Sequence, residues 1–445
     1  MCWMRERWRG KNVRVHNPET DITLASESYR AEFQAFNEIG NRLQALSFRD
    51  RPPLDHVAVL LVIHSMFSGL PLVDAAERIA GRHNTYLVCK RSSRNSEFER
   101  YLTGRGNAIL SSNKEDFMEN PGKVIDELSW IGKPILFLDH GGYGAYHMAA
   151  LRDKTPITGI VEYTLNGHQR YQRFGIVEGI DYASIAETRS KRFADYSCGR
   201  FIGEICPFVV QQFSGFGGHL RGINQVGVIG FGKLGSHAAE QMRSNGAHNI
   251  MVYDTDPEKM IAAQQQGHNI LATCVEDIVE RCNVILVGCD TAPIKPEMYA
   301  RMHDHAIIAT VTSPDDALDI RALIDGGTLI REREIPDEVI PITTYRTKQN
   351  RYIHLICDGD APNLKYSRFG VDDPTLAMPL ILHAAAGYEM AKGNTLSMER
   401  IGQLENQIMK DYLRIYQDVA GKIENYSIAP MRRIRSAACL TGPRP

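Results

Sequence analysis

The sequence predicts an α/β fold in which parallel strands alternate with helices. Two observations favour this class. Short apolar runs have the length of buried strands, for example at residues 56–63, 135–139 and 225–230, and stretches with helical periodicity separate them. The chain also has 445 residues, 43% of them hydrophobic and 23% charged. At roughly 100 to 200 residues per domain, this length predicts two to four domains with a large buried core.

The balance of charge excludes several kinds of partner. Lys and Arg number 51 against 53 Asp and Glu, which gives a formal net charge of −2. Nucleic acid and anionic membranes attract strongly basic proteins, so we expect neither as a partner and predict a small-molecule ligand. The nine cysteines are scattered and never spaced as CxxC, which indicates neither disulfides nor a metal site. No apolar export signal or membrane span is recognised, so we expect a cytoplasmic protein.

The first half of the chain has the pattern of one α/β layer. A helix is predicted over about residues 27–46, followed by a buried strand that leads into a helix ending near Gly81. Further strands are predicted at residues 84–90, 135–142 and 158–164. A long helix over about residues 189–214 comes next. The Gly-rich residues 214–222 that follow it are the best candidate for a domain boundary.

The pattern then repeats in a more compact form. Apolar strands that end near Gly230, Asp254, Cys289 and Thr312 are separated by helical stretches. This order is typical of a doubly wound nucleotide-binding domain. A further strand begins near residue 351, and an apolar helix and a basic tail follow it.

A glycine motif at the start of this second α/β pattern predicts a dinucleotide-binding site. The segment GFGKLG follows an apolar strand and opens a helix, which is the context that a GxGxxG motif requires. Gly230 permits the tight turn, Gly232 lets the backbone approach a pyrophosphate, and Gly235 allows close helix packing. About 20 residues further on, Asp254 ends the next strand, where an acid bonds the ribose hydroxyls. These features predict NAD as the cofactor, rather than NADP.

The order of several motifs resembles that of the S-adenosylhomocysteine hydrolases over about residues 55–395. The motifs are LDHGG, GIVEYTLNG, TRSK, GFGKLG and VYDTDP. The resemblance implies a central NAD-binding Rossmann domain inserted into a split α/β substrate domain. It also implies a homo-oligomer, either a dimer or a tetramer. In this family, tightly bound NAD oxidises the ribose 3′-hydroxyl, and homocysteine is then eliminated.

The resemblance implies four domain segments. The substrate domain is expected over residues 1–200 and 351–400, with the Rossmann domain over residues 201–350 between them. Residues 401–445 are expected to form a C-terminal helix and tail.

On the cofactor side, the resemblance agrees with the motif. Gly230, Gly232, Gly235 and Asp254 fit the family's NAD motif, with Asp254 in place of the usual Glu. The other residues that the resemblance assigns to the cofactor are Thr164, Lys233, Leu234 and Asn363.

On the substrate side, the resemblance is partial. His64 follows an apolar strand as the family's active-site His does, and Asp139 matches the first carboxylate of the family's LDDGG. The second carboxylate, which is usually assigned to catalysis, is His140 in this chain. The family's second catalytic His falls at about Ser313. His64 and His140 could also be a core histidine and a turn residue.

Two more segments depart from the family. Its EETTTG becomes Glu162-Tyr163-Thr164-Leu165-Asn166-Gly167, so that Tyr163 replaces a substrate-contacting carboxylate and Leu165 replaces a Thr beside the nicotinamide. The gating His before a Pro is replaced by residues 372–373. Glu162 ends an apolar strand, and such positions face the ligand crevice in open α/β sheets.

The segment that grips the ribose hydroxyls in the family can be aligned in two registers. The ungapped alignment places Arg189 at the family's Lys and Phe193 at its Asp. A shift of two residues restores the pair as Lys191 and Asp195, which would share one helix face. Lys191 could act as a base, whereas the guanidinium of Arg189 stays charged. Lys191 and Asp195 could also be a solvated ion pair.

The sequence therefore predicts an NAD-dependent, adenosylhomocysteinase-like enzyme with a changed substrate pocket. It would oxidise a hydroxyl of a nucleoside-like or other small polar substrate and keep NAD tightly bound. The replaced carboxylates predict weak or absent hydrolysis of S-adenosylhomocysteine. Two alternatives stay open at this point. One is a non-catalytic NAD-binding sensor or regulatory homologue, and the other is an oxidoreductase similar to the D-2-hydroxyacid dehydrogenases.

Overall fold

Six ranges of the chain are described in the computed structural model: residues 27–214, 225–267, 270–311, 317–335, 341–364 and 373–420. The Gly-rich boundary and the C-terminal tail expected from the sequence lie outside them, apart from Ser214. The described part contains two open sheets with helices on their faces.

The first sheet has six parallel strands in the order β3-β2-β1-β4-β5-β6. Because β2 and β4 lie on opposite sides of β1, the strand order reverses between β1 and β4, and this is where an open α/β sheet binds its ligand. The strands are β1 Ala58–His64, β2 Thr85–Lys90, β3 Ala108–Ile109, β4 Ile135–Asp139, β5 Ile157–Glu162 and β6 Asp181–Ser184.

Helices from both ends of the described chain cover the first sheet. The N-terminal ones are α1 Glu27–Ser47, α2 Leu70–Ala80, α3 Ser96–Gly104, α4 Lys114–Glu119, α5 Pro121–Ser129, α6 Met148–Lys154 and α7 Leu165–Phe174. The C-terminal ones are α13 Ala377–Ala391 and α14 Met398–Ala420. One apolar core joins α1, α2, α3, α13 and α14 to the sheet and includes Phe36, Val59, Leu72, Ile381 and Ile408. A second core joins α4, α5, α6 and α7 to the sheet and includes Phe117, Val124, Met148 and Tyr171. Every residue of α13 is buried, which explains why its sequence is apolar on all sides.

The second sheet repeats the same strand order and adds a hairpin. Its order is β12-β13-β14-β11-β10-β7-β8-β9, with β13 and β12 antiparallel at one edge. The parallel strands are β7 Val226–Ile229, β8 Ile250–Tyr253, β9 Ile270–Leu271, β10 Val284–Val287, β11 Ala306–Thr310 and β14 Tyr352–Ile356. The edge strands are β12 Leu329–Ile335 and β13 Ile342–Thr347. The helices of this part are α9 Lys233–Ser244, α10 Pro257–Gln265, α11 Val275–Arg281 and α12 Ile320–Asp325.

One long helix, α8 Arg189–Ser214, follows the first sheet and has the bounds expected from the sequence. The α/β class and the doubly wound parallel sheet are confirmed. The structure differs from the predicted domain boundaries in two places. Helix α8 continues across residue 200. Strand β14 pairs with β11 although it lies beyond residue 350. The backbone groups of β14 form hydrogen bonds with β11 and β13, so the second sheet extends beyond residue 350. Within the described ranges, no helix is both long and apolar enough to cross a membrane.

Candidate functional site

The glycine loop lies at the point where the strand order of the second sheet reverses. Gly230 follows β7 with a φ of +92°, and a Cβ added there would lie 2.7 Å from the carbonyl carbon of Gly288. A Cβ on Gly235 would lie 2.1 Å from the carbonyl oxygen of Gly230. Gly232 caps α9 and has open space around its missing Cβ. The loop therefore exposes backbone at a helix N-terminus, as a pyrophosphate site requires.

Asp254 follows β8 and lies beside this loop. Its carboxylate accepts the backbone N–H of Phe231 at 2.6 Å and that of Asp256 at 2.9 Å. The Lys259 Nζ is 3.8 Å from the same carboxylate. Each carboxylate oxygen can accept more than one hydrogen bond, so Asp254 keeps capacity for ribose hydroxyls. The residues of this loop thus fit NAD.

The start of α9 packs against the middle of α8 and against the segment that precedes α8. Lys233 Nζ donates a 3.0 Å hydrogen bond to the Ala186 carbonyl oxygen. The Leu234 carbonyl oxygen would lie 2.6 Å from a Cβ added to Gly199. In the structure, both predicted cofactor residues therefore contact the segment that joins the two sheets. Small residues on α8 allow the two helices to approach this closely.

Four aromatic rings form a row at the carboxyl end of the first sheet, beside its own reversal point. We call His64, His140, Tyr163 and His383 the ring row. The His64 and His140 ring centroids are 4.7 Å apart at 89°, and His140 stacks on Tyr163 with centroids 4.6 Å apart at 28°. The Tyr163 and His383 centroids are 5.5 Å apart. His140 and Tyr163, which the resemblance aligns with family carboxylates, thus contact each other.

The imidazoles of the ring row are held neutral. Burial, and then the charge of Lys90, lower the pKa of His64 and that of His140 well below the usual value. Burial lowers the pKa of His383 to about 4. Burial raises the pKa of the Tyr163 phenol. At neutral pH, the row therefore presents uncharged rings that can donate or accept a proton.

The start of α8 lies beside the ring row, at the carboxyl end of the first sheet, where an open α/β sheet has its ligand crevice. Lys191 and Asp195 form a short ion pair, and Lys191 Nζ lies 5.0 Å from the centroid of the Tyr163 ring. Arg189 instead bonds Glu405 of α14 at 3.1 Å and also contacts Asn406. Of the two registers, the shifted one therefore places its residues beside the ring row.

Phe193, the other member of the ungapped register, is 49% exposed. Glu405 also accepts the backbone N–H of Ser190 at 2.6 Å. The C-terminal helix thus anchors the first turn of α8.

Glu162 and Asp139 hold the chain rather than face the crevice. Both are wholly buried. Glu162 accepts the backbone N–H groups of Gly141 and Gly142 at 3.0 and 2.9 Å. It also accepts the N–H and hydroxyl of Thr164, which in turn caps α7. Burial and then the charge of Asp139 raise the pKa of Glu162 to about 8.

Asp139 has one engaged oxygen and one buried oxygen that has no partner. Its Oδ2 accepts the Tyr171 hydroxyl at 2.7 Å and the Gly144 N–H at 3.0 Å. Its Oδ1 has no hydrogen bond from the described residues. Asp139 and Glu162 thus shape the loop that presents His140.

Sequence reasoning missed several groups at these two sites. Lys90 ends β2 and pairs in register with His64, and burial lowers its pKa to about 8. Ser93 Oγ lies 2.7 Å from His64 Nδ1. Gly288 packs against the glycine loop from β10. None belongs to a motif, and the only available signal was their position after apolar strands.

Other predicted residues have separate surroundings. Asn363 lies beside Cys198 of α8, and its Oδ1 is buried without a partner among the described residues. Asp373 accepts the N–H and hydroxyl of Thr375 and contacts Ser197 of α8. Ser313 and Asp372 lie outside the described residues. In the described part of the chain, no group of three or more His, Cys, Asp or Glu side chains could hold a metal ion.

Comparison with protein families supports the cofactor site. Residues 219–368 match the model of the S-adenosyl-L-homocysteine hydrolase NAD binding domain. Adenosylhomocysteinase of Aquifex aeolicus (strain VF5) is 26% identical over 194 residues, which are 43% of this chain and 41% of that protein. The chain therefore matches less than half the length of this curated relative.

Two solved structures illustrate a distant similarity. One dipicolinate synthase chain from Bacillus halodurans has a TM-score of 0.36 and 13% identity, over 60% of this chain and 87% of that chain. L-alanine dehydrogenase has a TM-score of 0.31 and 12% identity, over 87% of this chain and 99% of that chain. Neither similarity bears on function.

The glycine loop at the reversal point of a doubly wound sheet and the matching domain model define an NAD-binding protein. The prediction of NAD as cofactor is confirmed. Residues 219–368 are therefore similar to the NAD binding domain of the S-adenosyl-L-homocysteine hydrolases.

Proposed function

We propose that the chain is an NAD-dependent enzyme that oxidises a hydroxyl group of a nucleoside-like or other small polar substrate. We also propose that NAD stays bound through turnover. The observation that supports this most is the position of α8. One end of this helix lies beside the ring row, and its middle packs on the helix that begins with the glycine loop.

The distances along α8 suit a substrate that reaches both sites. Lys191 and Gly199 are eight residues apart, which corresponds to about 12 Å along a helix. Lys191 lies beside Tyr163, and a Cβ on Gly199 would touch Leu234 of the glycine motif. A small ligand placed against the start of α8 could therefore contact the ring row and a bound cofactor together.

The residues of the crevice can perform the proton transfer that alcohol oxidation requires. When bound, NAD supplies a hydride acceptor for the carbon that carries the hydroxyl. The amine of Lys191 would take the hydroxyl proton, and its hydrogen bond to Asp195 would orient it. His140 is a weaker second proton acceptor, because burial lowers the pKa of its imidazole well below the usual value.

We further propose that adenosylhomocysteine is not the physiological substrate. His140 and Tyr163 stand where the family has carboxylates, and they stack on each other. Glu162 cannot take the role of those carboxylates, because it already accepts four hydrogen bonds from Gly141, Gly142 and Thr164. A homo-oligomer, implied by the resemblance, is part of the same proposal.

The test begins with the purified full chain. Acid release and mass spectrometry would identify the bound nicotinamide, and a panel of nucleosides and small hydroxylated compounds would be screened for NAD reduction by absorbance. We expect reduction with at least one compound and its loss in Lys191→Met. Lys392→Met is the matched control, since Lys392 also lies over a tyrosine ring, at 5.8 Å, but is exposed at the end of α13.

One observation favours a second candidate, a non-catalytic NAD-binding homologue. Both buried carboxylates of the first sheet are committed to holding the loop and Tyr171. This candidate predicts bound NAD that no compound reduces, with equal behaviour of the wild type and Lys191→Met.

A further inference from the structure

We propose that the substrate carries an anionic group, a carboxylate or a phosphate, that binds the ammonium group of Lys90 at the end of β2. This inference rests on the proposed function, because it names the substrate class of the same crevice.

Lys90 is placed to reach a ligand at the ring row. Its neighbour across the sheet is His64, the first member of the row. Its Nζ would lie 3.1 Å from a Cβ added to Gly141, the residue after His140. It also lies 5.6 Å from the centroid of the Tyr143 ring. Lys90 therefore borders the loop that presents His140.

The ammonium group of Lys90 has unused hydrogen-bonding capacity. Among the described residues, its Nζ has no hydrogen-bond acceptor, although an ammonium group has three donors. The residue is half-buried, so that the aliphatic stem is covered while part of the side chain stays open. A ligand oxygen could thus complete its bonding.

The crevice offers little negative charge of its own to a ligand. Glu162 and Asp139 are wholly buried, and Asp195 is paired with Lys191. The rings of the row are neutral at neutral pH. Lys90 therefore gives this part of the described site a positive character, which favours an anionic ligand.

The charges around Lys90 explain why its ammonium group would favour a bound anion. Glu162 and Asp139 attract its charge, whereas Lys114 and Arg170 repel it. Burial outweighs the attraction and lowers the pKa of Lys90 to about 8. A bound anion would favour the charged form and raise this pKa. Anion binding should therefore weaken as pH rises above about 8, because the free lysine loses its proton.

A structural role makes a different prediction. If Lys90 only balanced the buried carboxylates, its replacement would lower stability and leave the affinity for anions unchanged. Binding therefore separates the two roles.

The experiment uses the full chain loaded with NAD, so that anions do not occupy the glycine loop. Lactate and inorganic phosphate are titrated by calorimetry against the wild type, Lys90→Met and the control Lys392→Met. Lactamide serves as the uncharged probe. We expect lactate or phosphate to bind about 10- to 100-fold more weakly to Lys90→Met, because a charge-assisted hydrogen bond is lost. Lactamide should bind no variant appreciably, and Lys392→Met should match the wild type.

The outcomes separate this inference from the proposed function. A response to lactate alone indicates a carboxylate, and a response to phosphate alone a phosphate. The inference is overturned if neither anion shows Lys90-dependent binding, or if the wild type binds lactamide as well as lactate. Anion binding without reduction of NAD by any compound would contradict the proposed function alone. If Lys90→Met does not fold, the affinity of the wild type for anions is measured below and above pH 8. An affinity that does not change between these pH values contradicts the inference.

Discussion

The two sheets of this protein share one strand order but build their sites from different chemistry. In each, the order of the six parallel strands reverses between the first strand and the fourth. The second sheet uses backbone there, with Gly230 and Gly235 bringing main-chain groups close together. The first sheet uses side chains, with His64, His140 and Tyr163 in contact. A site made of close backbone groups tolerates few substitutions, whereas substitutions can change the chemistry of a side-chain site without changing the strands.

The largest effect should come from the base beside the ring row. Lys191→Met should lower the rate of substrate oxidation about 10²- to 10⁴-fold, the usual contribution of a general base. Arg189→Met should keep most of the activity, because Arg189 bonds Glu405 of α14. Steady-state kinetics of both variants measure this. Full activity of Lys191→Met together with loss of activity in Arg189→Met, with NAD still bound, would mean that the ungapped register describes the site.

Gly235→Ala should disable the backbone site. The added Cβ would lie 2.1 Å from the Gly230 carbonyl oxygen, and relieving such a contact costs about 1–3 kcal/mol. We expect NAD to bind about 10- to 100-fold more weakly by calorimetry. Gly402→Ala on α14 is the control, because its Cβ has nothing within 4 Å. Unchanged NAD affinity in Gly235→Ala would contradict the assignment of the loop.

Asp254→Ala should weaken NAD about tenfold and relax the preference over NADP. The carboxylate would accept ribose hydroxyls and repel a 2′-phosphate, and it also holds the loop through Phe231. Titration of the same variant with both dinucleotides separates these effects. Tighter binding of NADP than of NAD by the wild type would overturn the role of Asp254.

The smallest effect should come from Ser93→Ala. The hydroxyl of Ser93 lies 2.7 Å from His64 Nδ1 and orients that ring. Loss of one such hydrogen bond is worth about 0.5–1.5 kcal/mol, so we expect about a two- to tenfold fall in kcat with NAD affinity unchanged. A change in NAD affinity instead would show that the two sites are not separable in this way.

The glycine loop could be predicted from the sequence, because the close backbone contacts there require glycine at fixed spacing. The motif at residues 230–235 and the bounds of α8 follow from such local rules. The extent of the second sheet could not be predicted, since β14 joins β11 through pairing distant in sequence. Lys90 and Ser93 were missed for the same reason. Their neighbours His64 and His140 come from separate strands and meet only in the folded sheet.

We propose that this protein has kept its NAD site while its substrate site has changed. The most direct measurement is to incubate the NAD-loaded chain with S-adenosylhomocysteine beside the Aquifex aeolicus relative, and to determine bound nicotinamide and released homocysteine in the same samples. We expect the chain to hold NAD and to release little or no homocysteine. Homocysteine release at a rate close to that of the relative, or a chain that binds no NAD, would contradict this proposal.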